Sequence, residues 1–175
     1  MVNTNTNIKK RPQSQSCGWG HYKWIQVLLG VLCLLVGISI YLLFRSESIT
    51  LYRWMAAIGI TDAIAPLRQS VSHWDVSSFV RFSLPDGLYC MSYILLMDAV
   101  WQRSRRPLRL MAASLIPLIA ITHELLQAAG LARGTFDWSD LLCYALPLIG
   151  YCLLFIGYCL KDGVGKAYVR NRVNH

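Results

Sequence analysis

Between Lys23 and Arg45 the chain runs from Trp24 to Phe44 without a single charge, WIQVLLGVLCLLVGISIYLLF. A helix rises about 1.5 Å per residue and a bilayer's hydrocarbon core is roughly 30 Å thick, so about 20 such residues cross it. The run follows basic residues, as a signal peptide would. It is too long for one, though, and no small-x-small exit precedes Arg45, so it is read as a retained anchor. Composition agrees: 55% of the residues are hydrophobic and 15% charged, against about 25% charged in a soluble domain. The solvent for most of this chain is lipid.

Three more apolar stretches follow. One runs from about Pro85 to Trp101 (85–101), one from Leu108 to Ala129 (108–129) with Pro117 as an expected kink, and one from Leu141 to Leu160 (141–160). Residues 1–22 are polar and read as a disordered cytoplasmic tail; 23–160 form the transmembrane domain; 161–175 form a basic cytoplasmic tail. Residues 49–64 (ITLYRWMAAIGITDAI) are apolar but short, and contain Arg53 and Asp62. They fit either a fifth span or a helix lying in the interface.

Charge chooses between the two. Four spans put Lys9, Lys10, Arg11, Lys23, the cluster Arg103, Arg105, Arg106 and Arg109, and Lys161, Lys166, Arg170 and Arg172 on the cytoplasmic side, 12 of the 17 basic residues. A fifth span would move the Arg103–Arg109 cluster outside, against the positive-inside rule. The expected architecture is an all-α membrane protein, a four-transmembrane-helix bundle with an interfacial helix or outer cap between the first and second spans. Trp24 and Trp101 then mark the inner boundary and Trp138 the outer one, with Trp54 and Trp74 in the cap.

This topology gathers polar residues at the outer end: Asp86, His123, Glu124, Gln127, Arg133, Asp137 and Asp140. Glu124 lies about a turn inside its helix, where a charge is costly unless it faces protein or water. It shares a face with Gln127 at i+3, and His123 reaches Gln127 at i+4. The plain reading is an interhelical hydrogen bond; the sharper one is an outward-facing polar site. Asp86, in Ser83-Leu-Pro85-Asp86, reads as a helix-start acid, and Asp137-Trp-Ser-Asp140 reads the same way. Asp98 is expected to pair with Arg103 or Arg105. Gly30 with Gly37, Gly150 with Gly157, and Tyr144, Tyr151 and Tyr158 recur at seven residues and read as packing stripes.

Several chemistries lack their signatures. His123-Glu124-Leu-Leu-Gln127 lacks the second histidine of a zinc helix, so no metal site is expected. No phosphate-binding glycine loop, Ser-His nucleophile pattern or cofactor fingerprint occurs, and no cofactor is expected. The six cysteines form no CxxC pair, which argues against a disulfide framework. Basic residues beside apolar blocks are loop charges, so no nucleic-acid partner is expected.

Glu124-x-x-Gln127, the loop Gly130-Leu-Ala-Arg133-Gly134-Thr-Phe-Asp137-Trp-Ser-Asp140 and the apolar span after it resemble the VanZ-like family of small bacterial membrane proteins. The shared pattern is Glu-x-x-Gln, a basic loop residue matched by Arg133, and an Asp opening the next helix, matched by Asp140. An earlier span-opening Asp is matched by Asp86. The resemblance covers roughly 84–160; Cys90 stands where the family usually has His, and Tyr144 where it often has Asn. It implies a multi-pass protein of the bacterial cytoplasmic membrane, associated with the cell envelope, in a family named for an accessory protein of teicoplanin resistance.

Three function classes follow. The leading one is a non-enzymatic envelope protein whose outer polar cluster recognises a lipid headgroup, a cell-wall precursor, a glycopeptide or a membrane protein partner. The second is an outer-leaflet enzyme with Glu124 as general base and Asp140 or Asp86 as the second carboxylate. The third is a scaffold whose acids only cap and lock helices.

Overall fold

The computed structural model describes residues 19–45 and 50–173, with side chains over 22–45 and 53–161. Residues 1–18 of the polar N-terminal tail, Cys17 among them, lie outside the described residues; 19–22, read with that tail, instead open the first helix. Among the described residues there are six helices and no strand: α1 (Trp19–Phe44), α2 (Thr50–Ala57), α3 (Thr61–Val71), α4 (Ser78–Val100), α5 (Arg106–Ala128) and α6 (Trp138–Val173). Three of these helices are long and apolar enough to cross a membrane, over Tyr22–Phe44, Arg106–Ala128 and Trp138–Lys161. Their large apolar side chains point outward; Leu28, Met111 and Leu154 are 68%, 68% and 78% exposed. A soluble monomer rarely leaves contiguous apolar surface of that extent uncovered.

The segment expected as one interfacial helix is two. Gly59, at φ +73°, turns the chain between α2 and α3, a left-handed conformation that costs glycine nothing. Eight and eleven residues span about 12 and 16 Å, short of a roughly 30 Å core. Arg68 of α3 donates to Leu42 O at 2.7 Å and Arg45 O at 2.8 Å. It thereby serves the carbonyls that α1 leaves unpaired at its C-terminus.

α4 packs against α1, α5 and α6. It is as long as α5, at 23 residues, but carries Arg81, Asp86 and Asp98. Its start corrects the expectation at Pro85. The helix begins at Ser78, with Ser77 Oγ accepting from Val80 N at 3.4 Å. Ser83 and Pro85 are buried within it, so the Ser83–Asp86 segment is not a helix start. A serine, a proline and an acid mimic a cap by spacing alone.

We call upper the end at which α1 and α5 finish and α4 and α6 begin. Gly30 faces Leu95 and Leu96 of α4, and Gly37 faces Pro85, Leu88 and Tyr89, so α1 and α4 are antiparallel. A β-carbon at Gly30 would lie 3.0 Å from Leu96 Cγ, and one at Gly37 3.2 Å from Tyr89 Cε1. Glycine is what lets these helices approach so closely. Gly150 and Gly157 have nothing within 4 Å. That corrects the expectation that they pack helices within the chain; only the α1 pair does so. Gly30→Leu and Gly37→Leu are expected to destabilise by about 1–3 kcal/mol each through overpacking, and Gly150→Leu and Gly157→Leu to be near neutral. Thermal unfolding of the detergent-solubilised protein reads the difference.

The lower end is fastened by a buried ion pair. Asp98, 2% exposed, receives Arg109 Nε at 2.5 Å and Tyr151 Oη at 2.7 Å on Oδ1. Its Oδ2 receives Arg109 Nη2 at 2.6 Å and Gln26 Nε2 at 2.7 Å. Four donors from α1, α5 and α6 thus saturate one carboxylate of α4. The Arg109 guanidinium also stacks over Phe155, 5.7 Å from its centroid. The expected partners, Arg103 and Arg105, lie exposed in the α4–α5 connection. Arg109 replaces them because α5 begins at Arg106 and runs back along α4, which turns its first-turn arginine onto the last turn of α4. Above this pair Ile94, Ala113 and Leu148 form the apolar core.

Candidate functional site

Three carboxylates reach the upper end of the bundle from three helices. Asp86 sits two turns into α4, Glu124 in the last turn but one of α5, and Asp140 in the first turn of α6. Each lies within electrostatic range of another, Asp140 being common to both pairs. The helices can meet here because Gly87 leaves room: a β-carbon there would lie 3.1 Å from Cys143 Cβ and 3.2 Å from its carbonyl oxygen.

Their hydrogen bonding is unequal. Asp86 Oδ2 accepts from Tyr144 Oη at 3.1 Å, and Arg45 is a basic residue whose charge reaches it. Asp86 is therefore no cap: the first turn of α4 contains no acid. Glu124 is 6% exposed, and its Oε2 is buried without a hydrogen-bond partner. Oδ1 of Asp140 is buried and unpartnered in the same way. Buried polar atoms without partners are rare, because each forfeits its bonds to water and gains none in return. Two at one end of one bundle, both acceptors, define a spot short of donors.

The other expected residues divide. Asp137 is the cap the sequence suggested, its Oδ1 accepting from Ser139 N at 2.8 Å. Asp140, at the third position of the helix, does more than cap. Gln127 Nε2 lies 3.1 Å from His123 Nδ1, and the Gln127 amide packs on Gly134. At φ +131°, Gly134 has room for no side chain: a β-carbon would come 2.7 Å from Gln127 Nε2. His123 is exposed and lines an apolar groove of about 340 Å³ with Leu118, Thr122 and Leu126. Arg133 is exposed in the α5–α6 loop. The structure therefore brings together Asp86, Glu124 and Asp140, sets Asp137 at their edge, and turns His123 and Arg133 outward.

Sequence reasoning missed the tyrosines. Tyr144 and Tyr151 read as packing, yet each donates to a different α4 acid, Asp86 and Asp98. The usable signal was chemical: a phenol in one apolar helix is a natural donor to a carboxylate stranded in another. The described cysteines, Cys33, Cys90, Cys143, Cys152 and Cys159, are free thiols. No group of three or more His, Cys, Asp or Glu among the described residues could hold a metal ion. No protein-family model, no curated protein and no solved structure matches this chain.

Proposed function

We propose that this chain is a VanZ-like multi-pass protein of the bacterial cytoplasmic membrane whose upper-end acidic cluster recognises a donor-bearing group on an envelope molecule. In this reading α4 crosses the bilayer with α1, α5 and α6, since its polar residues face protein on several sides. α2 and α3 rest at the interface, both termini are cytoplasmic by the positive-inside rule, and the acidic cluster lies at the envelope side. The carrying observation is the pair of buried, unpartnered acceptors, Glu124 Oε2 and Asp140 Oδ1. The complement of such a pair is an ammonium or a cluster of N–H and O–H donors. Ethanolamine headgroups, cell-wall precursors and glycopeptides all carry such groups.

Purified protein in a non-ionic detergent, titrated with phosphatidylethanolamine and with phosphatidylcholine, tests this. The two lipids share a phosphate and a positive charge, but only ethanolamine donates N–H bonds. Wild type is expected to be stabilised more by the ethanolamine lipid, and Glu124→Gln to lose that preference. Equal response of wild type and variant would refute the acidic cluster as the recognition element.

The same unpartnered Oε2 supports a second reading, in which Glu124 is a general base and Asp140 or Asp86 assists it. Glu124 accepts one bond, from the Asp137 backbone N–H, and the oxygen without a donor is free to accept a substrate proton. Under that reading, mass spectrometry of envelope lipids from cells carrying wild type or Glu124→Gln shows a product in the first alone. Under recognition alone, the two lipid profiles are the same.

A further inference from the structure

A second polar feature lies at the upper end, on the side of α4 that faces α1 and α3. A cleft of about 410 Å³ opens there, with Phe44, Arg68, Gln69, Ser72, Trp74 and Arg81 among its walls. Its charged walls are basic, the opposite of the acidic cluster. Arg68 is fixed by the carbonyls of Leu42 and Arg45, which holds its guanidinium at the cleft wall. Arg81, one turn into α4, has its Nε buried without a hydrogen-bond partner, and no acidic residue is among the described residues lining the cleft. A guanidinium has five donors in a rigid fork that matches the oxygens of a phosphate. Both arginines line one hollow; Arg68 is held there by two carbonyls, and Arg81 holds an unanswered Nε–H.

We propose that this cleft binds a phosphate group, with Arg68 and Arg81 as its cationic walls and Gln69 and Ser72 as neutral partners. Surroundings favour a phosphate carried on a lipid. Trp74 is 63% exposed at the rim, where an indole suits the headgroup zone. Leu43, Phe44 and Val71 add apolar wall that a glycerol or first acyl carbons can cover, and that a free phosphate ion cannot use. The assignment does not depend on the acidic cluster, which lies where α4 meets α5 and α6.

Full-length protein in a phosphate-free, non-ionic detergent is titrated with phosphatidylglycerol, with diacylglycerol as the phosphate-free lipid, and with inorganic phosphate as the soluble source. Wild type is expected to bind phosphatidylglycerol and not diacylglycerol. Binding should weaken with added salt, because the attraction is screened. Arg81→Gln is expected to weaken binding on the order of tenfold, the usual effect of losing one charge-assisted contact. Gln69→Trp, an exposed position, should block the cleft without touching its charge, and keeps the test decisive if Arg81→Gln folds poorly. Arg133→Gln serves as control, removing an arginine from the other loop with no effect. Glu124→Gln should keep phosphatidylglycerol binding, so that failure of the acidic cluster as a recognition element and failure of this cleft are told apart. Inorganic phosphate binding as tightly as the lipid would keep the site and assign it to soluble phosphate esters. Equal binding of diacylglycerol, or unchanged binding in both cleft variants, would overturn the proposal.

Discussion

Asp98→Ala is expected to be the most damaging single substitution in the described bundle. The carboxylate ties α4 to α1, α5 and α6 through four donors. Removing it leaves the Arg109 guanidinium, 16% exposed at its side chain, without its counter-charge. Breaking one partner out of a buried pair typically costs about 3–5 kcal/mol, mostly through the stranded charge. For a chain of this size that corresponds to a fall in Tm on the order of 10 °C. Tyr151→Phe removes one donor and leaves the ion pair, so its cost should be smaller, about 1.5–3 kcal/mol for a bond to a charged group. The double variant Asp98→Leu/Arg109→Leu should recover much of the loss of Asp98→Ala, because no charge is stranded. Thermal unfolding in detergent and membrane abundance measure all three. A double variant as unstable as Asp98→Ala would mean that the pair itself, rather than the avoidance of a stranded charge, holds the bundle.

The sequence makes some of this architecture plain and leaves the rest dark for identifiable reasons. α1, α5 and the start of α6 follow expectation within a few residues, because long uncharged runs have one economical conformation in lipid. The α4 start was missed by seven residues because Pro85 reads as a helix-opening proline, whereas it lies buried in the helix interior. α2 and α3 were merged because their break rests on a single left-handed glycine, Gly59. In the site, Asp86, Glu124 and Asp140 were legible as a group, since alternating helices deliver acids at fixed heights to one end. Their partners were not. Whether Asp98 meets Arg103, Arg105 or Arg109 depends on the rotation of α5 about its axis, and no charge pattern encodes that. Tyr144 and Tyr151 share one stripe, and only the placement of α4 beside α6 shows that the stripe is a row of donors.

Glu124 is expected to behave in the opposite way to Asp98, and that contrast separates a site from a fastening. Both are carboxylates buried in long helices, at 6% and 2% exposure. Asp98 has a donor on every side, while Glu124 Oε2 has none. Methionine matches glutamate closely in volume and adapts to irregular gaps. Glu124→Met therefore removes a half-satisfied polar group near Asp140 without opening a large cavity, and gives up the one bond it accepts, from the exposed Asp137 backbone N–H. Replacing buried polar or ionic groups by apolar residues of similar size is often neutral or stabilising by about 1–4 kcal/mol. Tm should hold or rise by several degrees, at about 2–4 °C per kcal/mol, and the preference for ethanolamine over choline headgroups should disappear. Glu124→Ala should instead lose stability, since it leaves a cavity where the side chain stood. Residues that bind ligands are commonly kept at the expense of stability, and a variant both more stable and unable to discriminate headgroups would place Glu124 in that class. A Glu124→Met variant as unstable as Asp98→Ala would place it among the interhelical fastenings, and the unpartnered oxygen would then be part of the scaffold.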